Sequence, residues 1–140
     1  MEITVTLPGS IRSKKNSKRV IPIGGVNKPR RHIIVPSKAY KQWEDAARAS
    51  ACEQMGLIDP TPAPVEVEVT AYYKGPEPDL SGVLESVGDC LEGIVWVNDR
   101  QIKSWDGSRV IHDKGNPRTV VRVRVYQFED VAPLFGGNRV

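Results

Sequence analysis

Cysteine is scarce in this sequence of 140 residues, in which only Cys52 and Cys90 occur. Two cysteines cannot build the disulfide framework that holds many small secreted proteins together, and their separation matches no zinc-site spacing. The sequence also lacks the run of about 18 apolar residues that a membrane-spanning helix needs. Its first residues do not combine a cationic stretch with a long apolar one, so no signal peptide is predicted. We therefore expect a cytoplasmic protein with free, inert thiols and no membrane partner.

A glycine-rich phosphate loop is missing as well. Gly24 and Gly25 are adjacent, but two glycines alone do not indicate a nucleotide-binding turn, so no nucleotide cofactor is expected. No internal repeat or low-complexity tract divides the chain, and the proline-rich residues 59–64 read as a stiff connector. The length suits one domain with a proper core. We expect a single domain over residues 1–128 and a poorly ordered tail over residues 129–140.

Acidic residues are absent between Arg12 and Arg31, a stretch that contains eight lysines and arginines. The acids concentrate later, between Glu66 and Asp106. A basic arm over residues 9–31 beside an acidic pocket suits a nuclease, because one surface attracts phosphates while the other holds a metal ion. The alternative is a solvated loop whose charges serve only solubility. Under the first interpretation, the DNA phosphates are contacted by Lys14, Lys15, Asn16, Lys18, Arg19, Arg30 and Arg31.

Hydrophobic periodicity predicts the order strand, loop, helix, strand, helix, strand, strand. The first helix is expected from Lys38 to about Met55, capped by Ser37 and ended by Gly56. The second begins at Asp79 or Ser81. Strands are expected at residues 2–7, 65–73, 102–111 and 119–127, with short strands possible at 19–23 and 32–35. This order indicates an α/β (α+β) fold with two main helices on one face of a mixed or antiparallel sheet.

Three aspartates recur at intervals of ten residues around the second predicted helix. Asp79 lies at its start, Asp89 near its end and Asp99 in the turn beyond. Grouped carboxylates are costly unless a cation neutralises them, and hard oxygen ligands suit Mg²⁺. A magnesium site in a chain with a basic arm suggests phosphodiester chemistry.

Two stretches of the sequence resemble the RusA family of Holliday junction resolvases. The first is Ser-Lys-Lys-Asn-Ser-Lys-Arg at residues 13–19, followed by residues 35–40 and Trp43. The second is the aspartate region, whose family form is Asp-x-Asp-Asn-x-x-Lys, Asp-Ala-Leu, Gly and Asp-Asp-x-Gln-Ile/Val. The resemblance spans roughly residues 3–125. It implies a small homodimeric endonuclease of a bacterial or phage-infected cell, which uses Mg²⁺ (or Mn²⁺ in its place) to cut four-way DNA junctions.

The family pattern carries over residue by residue. Asp79 matches the first aspartate, Asp89 the aspartate of Asp-Ala-Leu, and Asp99 the second aspartate of the last element, which implies that these three bind the metal ion. The chain departs from the pattern at three positions. The second aspartate, the asparagine and the lysine of the family are replaced here by Ser81, Gly82 and Glu85.

Glu85 lies one helical turn after Ser81, so its carboxylate can replace the missing aspartate from the same helix face. Under this hypothesis Glu85 joins the three aspartates as a catalytic residue, and another cation replaces the family lysine. Lys103 and the lysines of the basic arm are the candidates. Alternatively, Glu85 only solvates a helix face, and Asp89 orients a ligand instead of being one. Two alternative functions remain open. The protein could bind branched DNA without cutting it, or it could be a nuclease that cuts flaps or forks.

Overall fold

The computed structural model describes residues 2–13 and 18–127. Five strands form a mixed sheet in the order β1–β7–β4–β5, with β6 also paired to β4, and two further strands form a separate hairpin. The expected mixed α+β class is therefore confirmed. The elements are β1 (Glu2–Pro8), β2 (Lys18–Gly25), β3 (Lys28–Pro36), α1 (Lys38–Met55), β4 (Val65–Tyr73), α2 (Leu80–Leu91), β5 (Ile102–Ser104), β6 (Arg109–His112) and β7 (Arg118–Val125).

The central strand β4 shows why the sheet has one buried and one exposed face. Its odd-numbered residues, such as Val67 and Val69, are buried, and the residues between them are only half-buried. Successive side chains of a strand point to opposite faces. The core lies between the buried face and the two helices. On the other face, β7 contributes Arg122, which forms ion pairs with Glu2 at 2.9 Å and Glu68 at 3.1 Å.

Helix α1 has the predicted bounds because both of its ends carry local signals. The Ser37 side chain accepts a hydrogen bond from the Tyr40 N–H at 3.1 Å, and the chain leaves the helix at Gly56 with a φ of 58°. The buried stripe includes Ala51, while Cys52 is exposed. One residue further along a helix turns the side chain by about 100°, so Cys52 points away from the core that Ala51 enters.

Two regions differ in detail from the sequence-based expectation. Much of the basic arm over residues 9–31 is strand: β2 and β3 pair antiparallel, from Lys18 opposite Pro36 to Gly25 opposite Lys28. The strand expected over residues 102–111 is divided into β5 and β6 by a turn containing Gly107, whose φ is 87°. The predicted tail over residues 129–140 lies outside the described residues. Within the described ranges, neither helix is long and apolar enough to cross a membrane.

Candidate active site

The turn that carries Asp99 is a short 3₁₀ helix, closed by a reciprocal pair of hydrogen bonds. The Asn98 side chain accepts from the Arg100 N–H at 2.9 Å, and the Gln101 side chain accepts from the Asn98 N–H at 2.7 Å. Two otherwise unpaired backbone donors are satisfied in this way. The asparagine and glutamine of this motif therefore shape the turn, and leave the Asp99 side chain exposed to solvent.

The same turn is fastened to the rest of the fold from two sides. The Gln101 amide donates to the backbone carbonyls of Thr61 and Ala63, each at 2.7 Å. The Glu92 carboxylate accepts from the Asp99 N–H at 2.9 Å. Asp99 is thus positioned through its backbone, and its carboxylate is not used to hold the turn.

A cleft lies between the Asp99 turn and helix α2. The turn approaches the helix closely at Gly88, where the Asp99 Cβ lies 3.8 Å from the position that a Cβ on Gly88 would take. The Cβ of an alanine would fit at this position, but a longer side chain would extend to where the turn now lies. The cleft is lined by Ser81, Leu84, Glu85, Gly88, Asp99, Arg100, Ile102 and Trp105.

Asp79 lies at the start of α2, at the edge of this cleft. It holds the N-cap position, but its side chain makes no capping hydrogen bond to the helix backbone. Instead, its Oδ2 accepts a hydrogen bond from the Ser81 hydroxyl at 2.9 Å and lies 3.7 Å from the position of a Cβ on Gly82. The serine that replaces the second family aspartate therefore contacts the first one.

The carboxylates of the site are spread along the helix. Asp79 lies beside Gly82 and Asp99 beside Gly88, and these glycines are about 9 Å apart along the helix axis, at 1.5 Å per residue. Glu85 stands midway between them in sequence. In the part of the chain that the structure describes, no three His, Cys, Asp or Glu side chains form a group that could hold a metal ion. The site offers hard oxygen donors without a closed cage.

This open arrangement fits Mg²⁺ better than it fits most other metal ions. Mg²⁺ keeps several of its waters and is usually bound through one or two carboxylates together with phosphate oxygens of the substrate. Glu85 and Asp99, with the Asp79–Ser81 pair at the other end of the cleft, supply donors of that kind. The chemistry of the donor set is thus compatible with a magnesium-dependent enzyme.

Asp89 does not line the cleft, although it lies on the same helix. Its negative charge affects two groups between α2 and α1, Tyr40 and Cys90. Burial raises the pKa of the Tyr40 phenol, and the charges of Glu44 and Asp89 add to that effect. Burial also raises the pKa of the Cys90 thiol to about 12, again with a contribution from Asp89. The Asp89 carboxylate therefore lies within electrostatic range of Tyr40 in α1.

The basic residue beside the carboxylates is one that sequence reasoning missed. Among the described lysines and arginines, Arg100 alone lines the cleft. Lys103, a candidate from the sequence, is exposed, and its Nζ donates to the Arg100 carbonyl at 3.2 Å without reaching the cleft lining. The sequence offered one signal for Arg100, namely that it directly follows the candidate metal ligand Asp99. Trp105 also lines the cleft.

The predicted DNA-binding residues of the basic arm lie partly on the hairpin. Arg19 in β2 and Arg30 and Arg31 in β3 are exposed. Lys18 begins β2, but its side chain is not described. Three further predicted contacts lie outside the described residues: Lys14, Lys15 and Asn16.

Gly82 makes a close contact that its position in the motif does not explain. A Cβ at Gly82 would collide with the Ser13 hydroxyl and would lie 2.9 Å from the Ser13 Cβ. Ser13 is only 7% exposed, and its hydroxyl has no hydrogen-bond partner among the described residues. The absence of a side chain at Gly82 therefore lets the segment after β1 pack against the first turn of α2.

We expect Gly82→Ala to destabilise the protein by about 1–3 kcal/mol, because overpacking outweighs the helix-propensity gain. Urea denaturation measures this change. Gly88→Ala is the matched control in the same helix. Its Cβ would meet neighbours only at 3.8 and 4.0 Å, so we expect the free energy of unfolding to increase by up to about 1 kcal/mol. Adding Ser13→Gly to Gly82→Ala should recover part of the loss. Equal stability of the two alanine variants would contradict the close contact.

Comparison with known protein families agrees with the resemblance seen in the motifs. The family model described as endodeoxyribonuclease RusA matches residues 8–124, nearly the whole chain. No curated protein matches the sequence significantly. RusA enzymes are Holliday junction resolvases, depend on a metal ion and bind branched DNA. The chain therefore belongs to the RusA family of endodeoxyribonucleases.

Proposed function

We propose that this protein resolves Holliday junctions by Mg²⁺-dependent hydrolysis, with one nick in each of two symmetry-related strands. The observation that carries the proposal is the cleft in which Ser81, Glu85 and Asp99 meet Arg100. Phosphodiester hydrolysis needs an activated water, stabilisation of the charge on the phosphate oxygens and help for the departing 3′ oxygen. Carboxylates and a guanidinium in one cleft can meet these needs.

Glu85 and Asp99 would hold the metal ion, with Asp79 acting from the start of the helix through its contact with Ser81. When bound, Mg²⁺ polarises phosphoryl oxygens and makes a coordinated water more acidic. Manganese, which also favours oxygen ligands, is expected to substitute. Asp89 would act indirectly, through the packing of α2 on α1, and is the weakest of the four candidate carboxylates.

Arg100 would take over the cationic role of the family lysine. Its Nε lies 3.4 Å from the Asn98 side-chain oxygen, so the guanidinium is only weakly tethered and can turn toward the cleft. A guanidinium is always charged and its fork of donors matches the geometry of phosphate oxygens. We assign to Arg100 the stabilisation of negative charge on the phosphate that is being cut.

The exposed arginines of the hairpin, Arg19, Arg30 and Arg31, would contact DNA phosphates together with Lys103 and the basic residues 14–18. Such contacts supply affinity and salt dependence but carry no sequence information directly. Preference for a junction would come from its shape and the path of its strands. The free thiols suit work on DNA in the cytoplasm of a bacterial or phage-infected cell.

A homodimer is part of the proposal because resolution requires two nicks at symmetry-related positions. A protein with two-fold symmetry presents two identical sites in the matching arrangement. Each protomer would contribute one cleft with its own Glu85, Asp99 and Arg100.

A labelled synthetic four-way junction incubated with the protein and Mg²⁺ tests the proposal. Paired, symmetric nicks are expected, and none should form when the metal is removed by a chelator. Binding without nicks would instead support a non-cutting protein, an alternative motivated by Ser81 and Glu85. Faster cutting of a flap or a replication fork would identify another branched substrate.

A further inference from the structure

A second groove adjoins Asp79 and, among the described residues, shares no lining residue with the cleft. It runs between the segment that follows β1 and the connection from β4 to α2. Three strongly basic residues line it, and none of them is in the basic hairpin. The groove is lined by Ser10, Ile11, Arg12, Ser13, Lys74, Gly75, Pro76, Glu77, Pro78, Asp79, His112 and Lys114.

Tertiary hydrogen bonds fix the backbone on both walls of this groove. The Ser86 hydroxyl of α2 donates to the Arg12 carbonyl at 2.9 Å. The Ser10 hydroxyl accepts from the Lys74 N–H at 3.1 Å and donates to the Lys74 carbonyl at 3.3 Å. Arg12 and Lys74 therefore extend from walls that are held together before any ligand arrives.

In the described part of the chain, the acidic residues of the groove do not form ion pairs with its basic residues, which leaves the basic side chains available for a ligand. Glu77 accepts a hydrogen bond from the Tyr73 hydroxyl at 3.0 Å, and Asp79 accepts one from Ser81. By contrast, no ion pair within the described residues involves Arg12, Lys74 or Lys114. The acids already have neutral donors, while three cations face an open groove that can accommodate a polyanion.

We propose that this second groove binds backbone phosphates of the DNA strand that is cut, next to the scissile phosphate. The groove and the cleft meet at the hydrogen-bonded pair of Asp79 and Ser81, since Asp79 lines the groove and Ser81 lines the cleft. A strand crossing this pair would place one phosphate at the carboxylates and its neighbours beside Arg12, Lys74 and Lys114. This inference rests on the proposed function, because it needs a DNA strand in the cleft.

The test is the salt dependence of junction binding by the double variant Lys74→Ala/Lys114→Ala, measured without metal so that no cutting occurs. Loss of two phosphate contacts should lower the slope of log affinity against log salt by about 1.4–1.8. Affinity at moderate salt should fall roughly tenfold for the same reason. Lys74→Gln/Lys114→Gln should give the same result, and thermal melting checks that both variants are folded.

Arg122→Ala/Arg124→Ala is the matched control, because it removes two positive charges from the helix-free face of the sheet. Its slope should stay close to that of the wild type. If the Lys74/Lys114 variants behave like this control while the wild type binds and cuts junctions, the second groove is not a phosphate site and the proposed function stands. If the wild type neither binds nor cuts junctions, the proposed function itself fails.

Discussion

Replacing Asp99 by asparagine is expected to lower the rate of junction nicking at least about a hundredfold, comparable to the loss of one charge-stabilising group in other enzymes. The amide has nearly the same size but no negative charge for a metal ion. The turn should keep its shape, because Glu92 holds it through the Asp99 N–H and Gln101 through its amide. Single-turnover cutting of a labelled junction measures the rate, and a gel-shift assay should show junction binding at wild-type affinity.

Two further variants make this result specific to the cleft. Asp106→Asn removes an exposed carboxylate just beyond β5, outside the cleft lining, and should cut at the wild-type rate. Asp89→Asn should have a smaller effect than Asp99→Asn, since Asp89 acts toward α1. Near-normal cutting by Asp99→Asn would remove this residue from the active site. A stronger effect at Asp89 than at Asp99 would mean that the metal ion lies nearer to Asp89.

Local signals made the main elements predictable. Strand β4 was expected at residues 65–73, because apolar and polar residues alternate there without interruption. Helix α1 was expected at Lys38 because Ser37 precedes it, and its end at Gly56 followed from the same kind of signal. The pairing partners of β4 were not predictable. Its parallel pairing with β5 and β6 depends on contacts distant in sequence, which periodicity does not report.

The region after Asp99 shows the limit of the same reasoning. A single strand was expected over residues 102–111, yet Gly107 introduces a turn that lets β5 and β6 each pair with β4. This turn includes Trp105, whose ring reaches within 4.0 Å of a Cβ position on Gly88. Trp105 thus becomes part of the cleft wall, although the strand periodicity gave no sign of a break.

Only those residues of the candidate site that belong to the sequence motif were predictable. Asp79, Glu85 and Asp99 were proposed from sequence, and the structure places Glu85 and Asp99 in one cleft with Asp79 at its edge. Arg100 was missed because its place in the cleft depends on the orientation of the turn, which is set by Asn98 and Gln101. The motif could not show that Asp89 is outside the cleft lining, since that depends on how α2 packs against the Asp99 turn.

Replacing Glu85 by alanine is expected to abolish Mg²⁺-dependent cutting, with a loss of about a hundredfold or more. Among the described residues, Glu85 and Asp99 are the two carboxylates that line the cleft, so the loss of Glu85 leaves Asp99 alone there. Cutting is measured at several Mg²⁺ concentrations, because a lost ligand also raises the concentration needed. Glu53→Ala, which removes an exposed glutamate of α1, is the control and should cut normally.

Restoring the family pattern tests whether Ser81 and Glu85 compensate for one another. Ser81→Asp/Glu85→Lys returns one carboxylate to position 81 and a cation to position 85, so this double variant should cut within about tenfold of the wild type. Glu85→Lys alone should be inactive, because it removes a carboxylate without replacing it. The two changes would then be strongly non-additive, as expected for side chains that share one site.

Near-normal cutting by Glu85→Ala would show that Glu85 only solvates the helix, and the metal would then depend on the aspartates alone.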